Sequence, residues 1–161
     1  MDLLEKKESV YKTATFWFEQ LLKLPNDIRN DDKERTGIQV FAWEPGTRNL
    51  IYFPVSNPSE AAQIFSVEKA VRSYVLDDAS SQNSQDVSKL RFPGSVTVTI
   101  DGITITVSVS GLQSHEDVFI AIQILAGIFN KTTASICLSI VEQGGELPRF
   151  THWYENQLLQ S

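Results

Sequence analysis

Few of the 161 side chains could do chemistry beyond packing. Two histidines, His115 and His152, one cysteine, Cys137, and one methionine make up the soft and imidazole ligands. His115 heads the triplet His115-Glu116-Asp117, residue types that ligate metals or haem iron and move protons. Consecutive residues on a helix fan out over much of a turn, so these three do not converge on one ion. The bland reading of His115 is a solvated residue at a helix start. His152 follows Thr151 beside Trp153 and Tyr154, where an exposed strand end is the plainer reading. Cys137 lies in an apolar run with no His or Lys next to it, which fits a buried structural thiol better than a nucleophile.

No Walker loop, G-x-S-x-G elbow, H-E-x-x-H helix or paired-cysteine pattern occurs. Asp27, Asp31 and Asp32 lack EF-hand spacing, and Gly144-Gly145 lacks the strand and helix context of a phosphate loop. Neither a catalytic constellation nor a metal site is therefore expected, and the reading leans away from an enzyme.

The elements that would hold these residues follow from periodicity. Ser9 to Leu24 reads as an amphipathic helix on a stripe of Val10, Thr13, Ala14, Trp17, Leu21 and Leu24. Residues 38 to 43 and 49 to 55 read as a hairpin around Pro45-Gly46, with Pro54 at an edge. Ser66 to Leu76 is expected to be a helix capped by Ser66 and buried through Val67, Ala70, Val71, Tyr74 and Val75. The polar run from Asp77 to Lys89 is expected to be a mobile loop.

Ser95 to Ser110 gives the strongest pattern. Val and Ile alternate with Thr and Ser around Asp101-Gly102, a preferred type I′ turn, which pairs Ile100 with Ile103, Val98 with Ile105 and Val96 with Val107. The Thr/Ser face would be the exposed one. A helix follows, with Ser114 as N-cap and Asp117 in a capping-box position. From Val118 to Phe129 it carries no charge, so it must be covered on all sides. Phe119, Ile120, Ile124 and Ile128 are accordingly expected at an interface between copies, with Asn130 ending the helix. Residues 136 to 141 and 146 to 153 read as a further strand pair, and the last eight residues could be helical.

Composition sets outer limits. With 42% hydrophobic and 21% charged residues the chain can build a single-domain core. A net charge of −6 argues against binding a phosphate backbone. No secretory signal or 18-residue apolar run is read, and one cysteine suits a reducing cytoplasm, so a cytoplasmic protein without nucleic-acid or membrane partners is expected.

Residues 92 to 118 resemble the GlcG/HbpS-like family, labelled haem-binding or haem-degrading. The likeness rests on Phe92-Pro93-Gly94, a strand, Asp101-Gly102, a strand ending in Ser110-Gly111-Leu112, and Glu116-Asp117 opening a helix. The S-G-L-x-x-x-E-D form is most similar to an uncharacterised branch. The helix bearing Lys69 and Arg72 resembles the family's lysine-containing helix, and the likeness spans about 38–129. Gly94-Ser95 stands where the family has a glycine pair, Thr106 and Ser108 replace its strand glycines, and Val118 stands where a histidine is common. The resemblance implies an α+β fold with profilin-like α/β/α layers, an antiparallel sheet of five or more strands, and a homo-oligomer. It also implies candidate ligand contacts at His115, Glu116, Asp117, Lys69 and His152, with haem as a cofactor on this ground alone. The expected function is a non-enzymatic homo-oligomeric small-ligand-binding or adaptor module, whose partners are itself and a small molecule or another protein. Alternatives are a haem or small-cofactor binding or degrading protein and a small acidic secretion-type chaperone.

Overall fold

The computed structural model describes residues 1–75, 79–89, 91 and 93–159. Its centre is a four-stranded antiparallel sheet in the order β2-β1-β4-β3, with β1 at Gly37–Trp43, β2 at Leu50–Ser56, β3 at Ser95–Ile100 and β4 at Ile103–Ser110. The β3–β4 register pairs Ile100 with Ile103, Val98 with Ile105 and Val96 with Val107, as the alternation requires. Asp101 and Gly102 have φ of 52° and 78°, the left-handed pair of a type I′ turn. A Cβ on Gly102 meets nothing within 4 Å, so the conformation alone demands glycine. Gly102→Val is expected to cost about 1–3 kcal/mol and lower the melting temperature by about 5 °C. An unchanged melt would mean that the turn is not of this type.

Two helical layers flank the sheet. On one face lies α4 (Ser114–Phe129), with residues 116 to 126 and Ile128 all buried. It is covered by α1 (Lys7–Leu22) and by α5 (Thr133–Glu142) and α6 (His152–Leu159). A four-residue helix, α2 (Asn26–Arg29), follows α1. On the other face a single helix, α3 (Glu60–Val75), crosses β1, β4 and β3.

Several expectations need correction. The sheet has four strands among the described residues, not five or more, because 136–141 and 146–153 do not form a strand pair. Ile136 to Val141 lies inside α5, which Thr132 caps by accepting a hydrogen bond from the Ser135 N–H at 3.0 Å. Gly144, at φ 89°, turns the chain out of that helix instead of closing a hairpin.

Phe119, Ile120, Ile124 and Ile128 are no more than 2% exposed within one chain, so they are core residues rather than an open interface. Trp17 of α1 and Trp153 and Tyr154 of α6 close over Phe119, with ring centroids 5.1, 6.1 and 5.4 Å away. Helix α1 buries Val10, Ala14, Phe18 and Leu21, a stripe shifted to take in Phe18.

Helix α3 starts six residues before Ser66, where the Ser59 hydroxyl accepts from the Ala62 N–H. It turns its small and polar stripe inward, burying Ala62, Ser66, Lys69, Ala70 and Ser73 and leaving Val67, Val71, Tyr74 and Val75 exposed. That stripe lies over Ser95, Thr106, Ser108 and Ser110, so the hydroxyl face of β3 and β4 is buried at these positions. Ser73 bonds Thr97 at 2.9 Å, and Thr97 bonds Thr106 at 2.7 Å.

Residues 79–84 of the expected mobile loop are docked. Ala79 accepts from the Thr97 N–H, Ser81 from the Ser95 N–H, and Asn83 ties Gly144 and Glu146. The expected helix end at Leu76, the loop start at 77–78, Phe92 and residues 160–161 lie outside the described residues. Among the described residues no single helix is long and apolar enough to cross a membrane.

Candidate functional site

The chain passes from β4 through Gly111 to Gln113 and enters α4 one residue earlier than Ser114 would allow. Gln113 is the N-cap, and its N–H donates to Glu116 Oε1 at 3.1 Å, so Glu116 takes the position assigned above to Asp117. Asp117 instead accepts from the Leu112 N–H at 3.0 Å. Two consecutive carboxylates thus hold the strand-to-helix corner, and they diverge as adjacent helical residues must.

Each meets a buried cation. Arg29 donates to both oxygens of Glu116, at 2.7 and 2.9 Å, and the Tyr154 hydroxyl adds a bond to Oε2 at 3.0 Å. Burial alone would push the Glu116 carboxyl up, but the bonds from Arg29, the Gln113 N–H and Tyr154 hold it below the ordinary range. On the other side Lys69 Nζ lies 3.3 Å from Asp117 Oδ2 and donates to the Val109 carbonyl at 3.1 Å. Gly94 makes room for that lysine. A Cβ at its φ of 138° would lie 2.7 Å from Lys69 Nζ and 2.6 Å from the Val109 oxygen.

Lys69 and Asp117 face a groove of about 640 Å³, whose wall also includes Asp31, Arg35, Phe65 and Ser114. Arg35 bonds Asp31 at 2.7 and 3.2 Å, and Asp31 also reaches Arg29 at 3.2 Å. One charge network therefore runs from the α1–β1 connection to α6.

Of the five candidate contacts, Lys69, Glu116 and Asp117 meet at the head of α4. His115 stacks edge-on against Tyr154 at 5.4 Å, and burial holds its imidazole below the usual range. His152 is exposed at the start of α6 and pairs with Asn156 at 3.2 Å. Neither histidine lines the groove. Asp31 with Arg35 and Gln113 with Glu116 are local pairs at spacings of four and three, whereas Arg29 and Tyr154 had no local signal, because their partner Glu116 lies 87 and 38 residues away. The one usable clue was energetic: two carboxylates opening an uncharged helix must be buried, and buried charges need cations.

No family model and no curated protein matches the chain. Among solved structures it is similar to a PduOC:haem complex, at a TM-score of 0.56 and 14% identity over 74% of this chain and 89% of that one. It is similar also to Klebsiella pneumoniae protein ORFY, of the DUF336 family, at a TM-score of 0.50 and 15% identity over 75% of this chain and 88% of that one. This chain has their fold. The GlcG-like resemblance seen at residues 92 to 118 thus extends to the layering of the whole sheet.

Within this DUF336-like fold the groove does not suit haem. Its wall carries no His, Cys, Met or Tyr to ligate iron, and charged and hydroxyl groups occupy much of it. Cys137 sits half-buried on α5, with its thiol pushed up to about 11 by burial. Among the described residues no three His, Cys, Asp or Glu side chains converge to hold a metal ion.

Burial raises the Asp117 carboxyl from its usual 3.8 to about 7, against the pull of Lys69 and the Leu112 N–H. The same burial lowers Lys69. A folded carboxyl that holds its proton more tightly than the unfolded one contributes stability below about pH 4 and loses it as pH rises through 7. The stability of the wild type relative to Asp117→Asn should therefore fall between pH 4 and pH 7, read as the difference in melting temperature. A difference that grows with pH would mark an ordinary ion pair instead.

Proposed function

We propose that this chain is a non-enzymatic, self-associating module that binds a small polar ligand in the groove at the head of α4. The observation that supports the reading is the engagement of the buried charges at the head of α4, of which Lys69 and Asp117 line the groove and Glu116 lies behind it. Both oxygens of Asp117 are taken, by Lys69 and the Leu112 N–H, and both oxygens of Glu116 by Arg29, Gln113 and Tyr154. A general acid or base must exchange its proton with substrate, whereas a preorganised floor favours recognition. The charged and hydroxyl wall, open to solvent, suits a polar molecule more than a flat apolar one.

The test is a melting screen against amino acids, hydroxycarboxylates and sugar phosphates, repeated with Ser114→Trp to fill the groove. Stabilisation by one class that the tryptophan abolishes supports the reading. No shift with any compound, in a protein that still self-associates, favours the adaptor role. Haemin is the control for the haem alternative, which the PduOC:haem neighbour brings to mind. A saturable Soret shift, lost in His115→Ala or His152→Ala, would establish that alternative in place of the groove.

A further inference from the structure

The two faces of the sheet are covered unequally. Helices α1 and α4 lie over one face with α5 and α6 beside them, whereas among the described residues α3, with the short segment Ser81–Ser84 next to it, covers β1, β4 and β3 on the other. One helix cannot shelter a sheet of that width, and β2 is left out. Its inward residues Ile51, Phe53 and Val55 are buried in the core, while Leu50 and Tyr52 on the α3 side are 47% and 43% exposed. A groove of about 650 Å³ lies between β2 and α3, lined by Tyr52, Ile64, Val67 and Val71 with Glu60, Gln63 and Glu68.

The outer face of α3 has an apolar pattern that its own fold engages at Tyr74, whose ring meets Trp43 at 5.1 Å, and leaves exposed along the rest. Ile64, Val67, Val71 and Tyr74 recur at spacings of three, four and three, and all are exposed, Ile64 to 62%. This is the seam of a helix that meets another helix, and it lies opposite the small-residue stripe facing the sheet. With Leu50, Tyr52 and Val75 it leaves on the order of 500 Å² of apolar surface wet, in the upper part of the range for a monomer's largest patch and over half of one partner's share of a standard interface. Of the two carboxylates in the groove wall, Glu68 is paired with Arg72 at 3.0 Å, and Glu60 stands in the first turn of α3 away from Val67 and Val71 in sequence. A second apolar groove, of about 450 Å³, is lined by Leu4, Tyr11 and Phe53, but Glu5, Lys7 and Glu8 break it up, and Leu138 and Val141 on α5 extend no seam of four.

We infer that a second copy of this chain covers this face, α3 packing against α3 across a two-fold axis with β2 at its flank. The inference rests on the self-association part of the reading above and assigns it a surface. A two-fold interface uses the same patch on both subunits, which a single self-complementary seam supplies. It also places contact between copies on the opposite side of the sheet from α4.

The test is the mass of the full chain by light scattering and sedimentation over a concentration series. Wild type is expected at twice the 18.1 kDa chain mass, or a multiple of that. Val67→Glu/Val71→Glu should raise the dissociation constant at least about 100-fold without changing the circular dichroism spectrum, because both positions are on the surface. Val71→Leu should preserve the assembly, and so should Leu138→Glu/Val141→Glu on α5. A wild type that stays monomeric at 100 µM overturns both this inference and self-association. An assembly that survives Val67→Glu/Val71→Glu, or one that fails in the α5 variant, overturns the α3 surface alone.

Discussion

Glu116→Ala is expected to lower the melting temperature by about 10 °C or more. The carboxylate is fully buried and accepts from Arg29, Tyr154 and the Gln113 N–H, so its loss strands a guanidinium, a phenol and a helix cap together. Breaking one side of a buried pair costs about 3–5 kcal/mol, mostly for the charge left behind. At this chain length each kcal/mol is worth roughly 2–4 °C. Arg29 keeps Asp31 as a second partner at 3.2 Å, which softens the loss on that side only. Replacing both members, as Arg29→Met/Glu116→Leu, should recover much of the difference, since no uncompensated charge then remains. Thermal melts of the three variants measure this. A single variant within 1 kcal/mol of wild type would show that Glu116 is not what holds the corner.

The second large effect concerns α4. Ile124 is 1% exposed, in a stretch covered within its own chain by α1 and α5. Ile124→Glu would bury a carboxylate in the apolar core, and the effective penalty is several kcal/mol against a total stability of about 5–15 kcal/mol. The expected outcome is loss of the folded state, seen as a collapsed near-ultraviolet spectrum and insoluble expression. A folded variant with an altered oligomer mass is the opposite outcome. It would return this helix to an interface between copies.

The contrast between the two hairpin-like regions shows what sequence makes visible. The turn at Asp101-Gly102 is decided by local sterics, and alternation over six residues on each side admits one register, so structure and pattern agree. Residues 136 to 141 are Ile, Cys, Leu, Ser, Ile and Val, a short apolar run whose period suits either state. There the deciding signal was Thr132 four residues upstream, a cap rather than a pattern. Once α5 and α6 are helices, α4 has cover on its far side, and the sequence-level reason for placing a partner there disappears.

The charged site was half legible for a similar reason. Glu116 and Asp117 stand out because they precede an uncharged run. Arg29 lies 87 residues before Glu116, however, and Tyr154 lies 38 after it. Nothing in the composition around either residue announces the contact. On α3 the spacing of Val67, Val71 and Tyr74 points to the core, yet the fold leaves them exposed. Hydrophobicity ranks those residues above the Ala62, Ser66 and Ala70 that approach the sheet, and only the hydroxyl-rich strand face beneath explains the reversal.

That same carboxylate sets an order of events during synthesis. Arg29 leaves the ribosome long before Glu116, and Tyr154 well after it, so a nascent chain carrying α4 has no α6 to close over the helix head. Until Trp153 and Tyr154 are available, the aromatic cover over Phe119 is incomplete and one bond to the buried carboxylate is missing. Contacts this distant must wait for loop closure, and exposed apolar helices in that interval are prone to association. A chain of which only about the first 145 residues have emerged would therefore display α4 to holdases, and emergence of α6 would hide it.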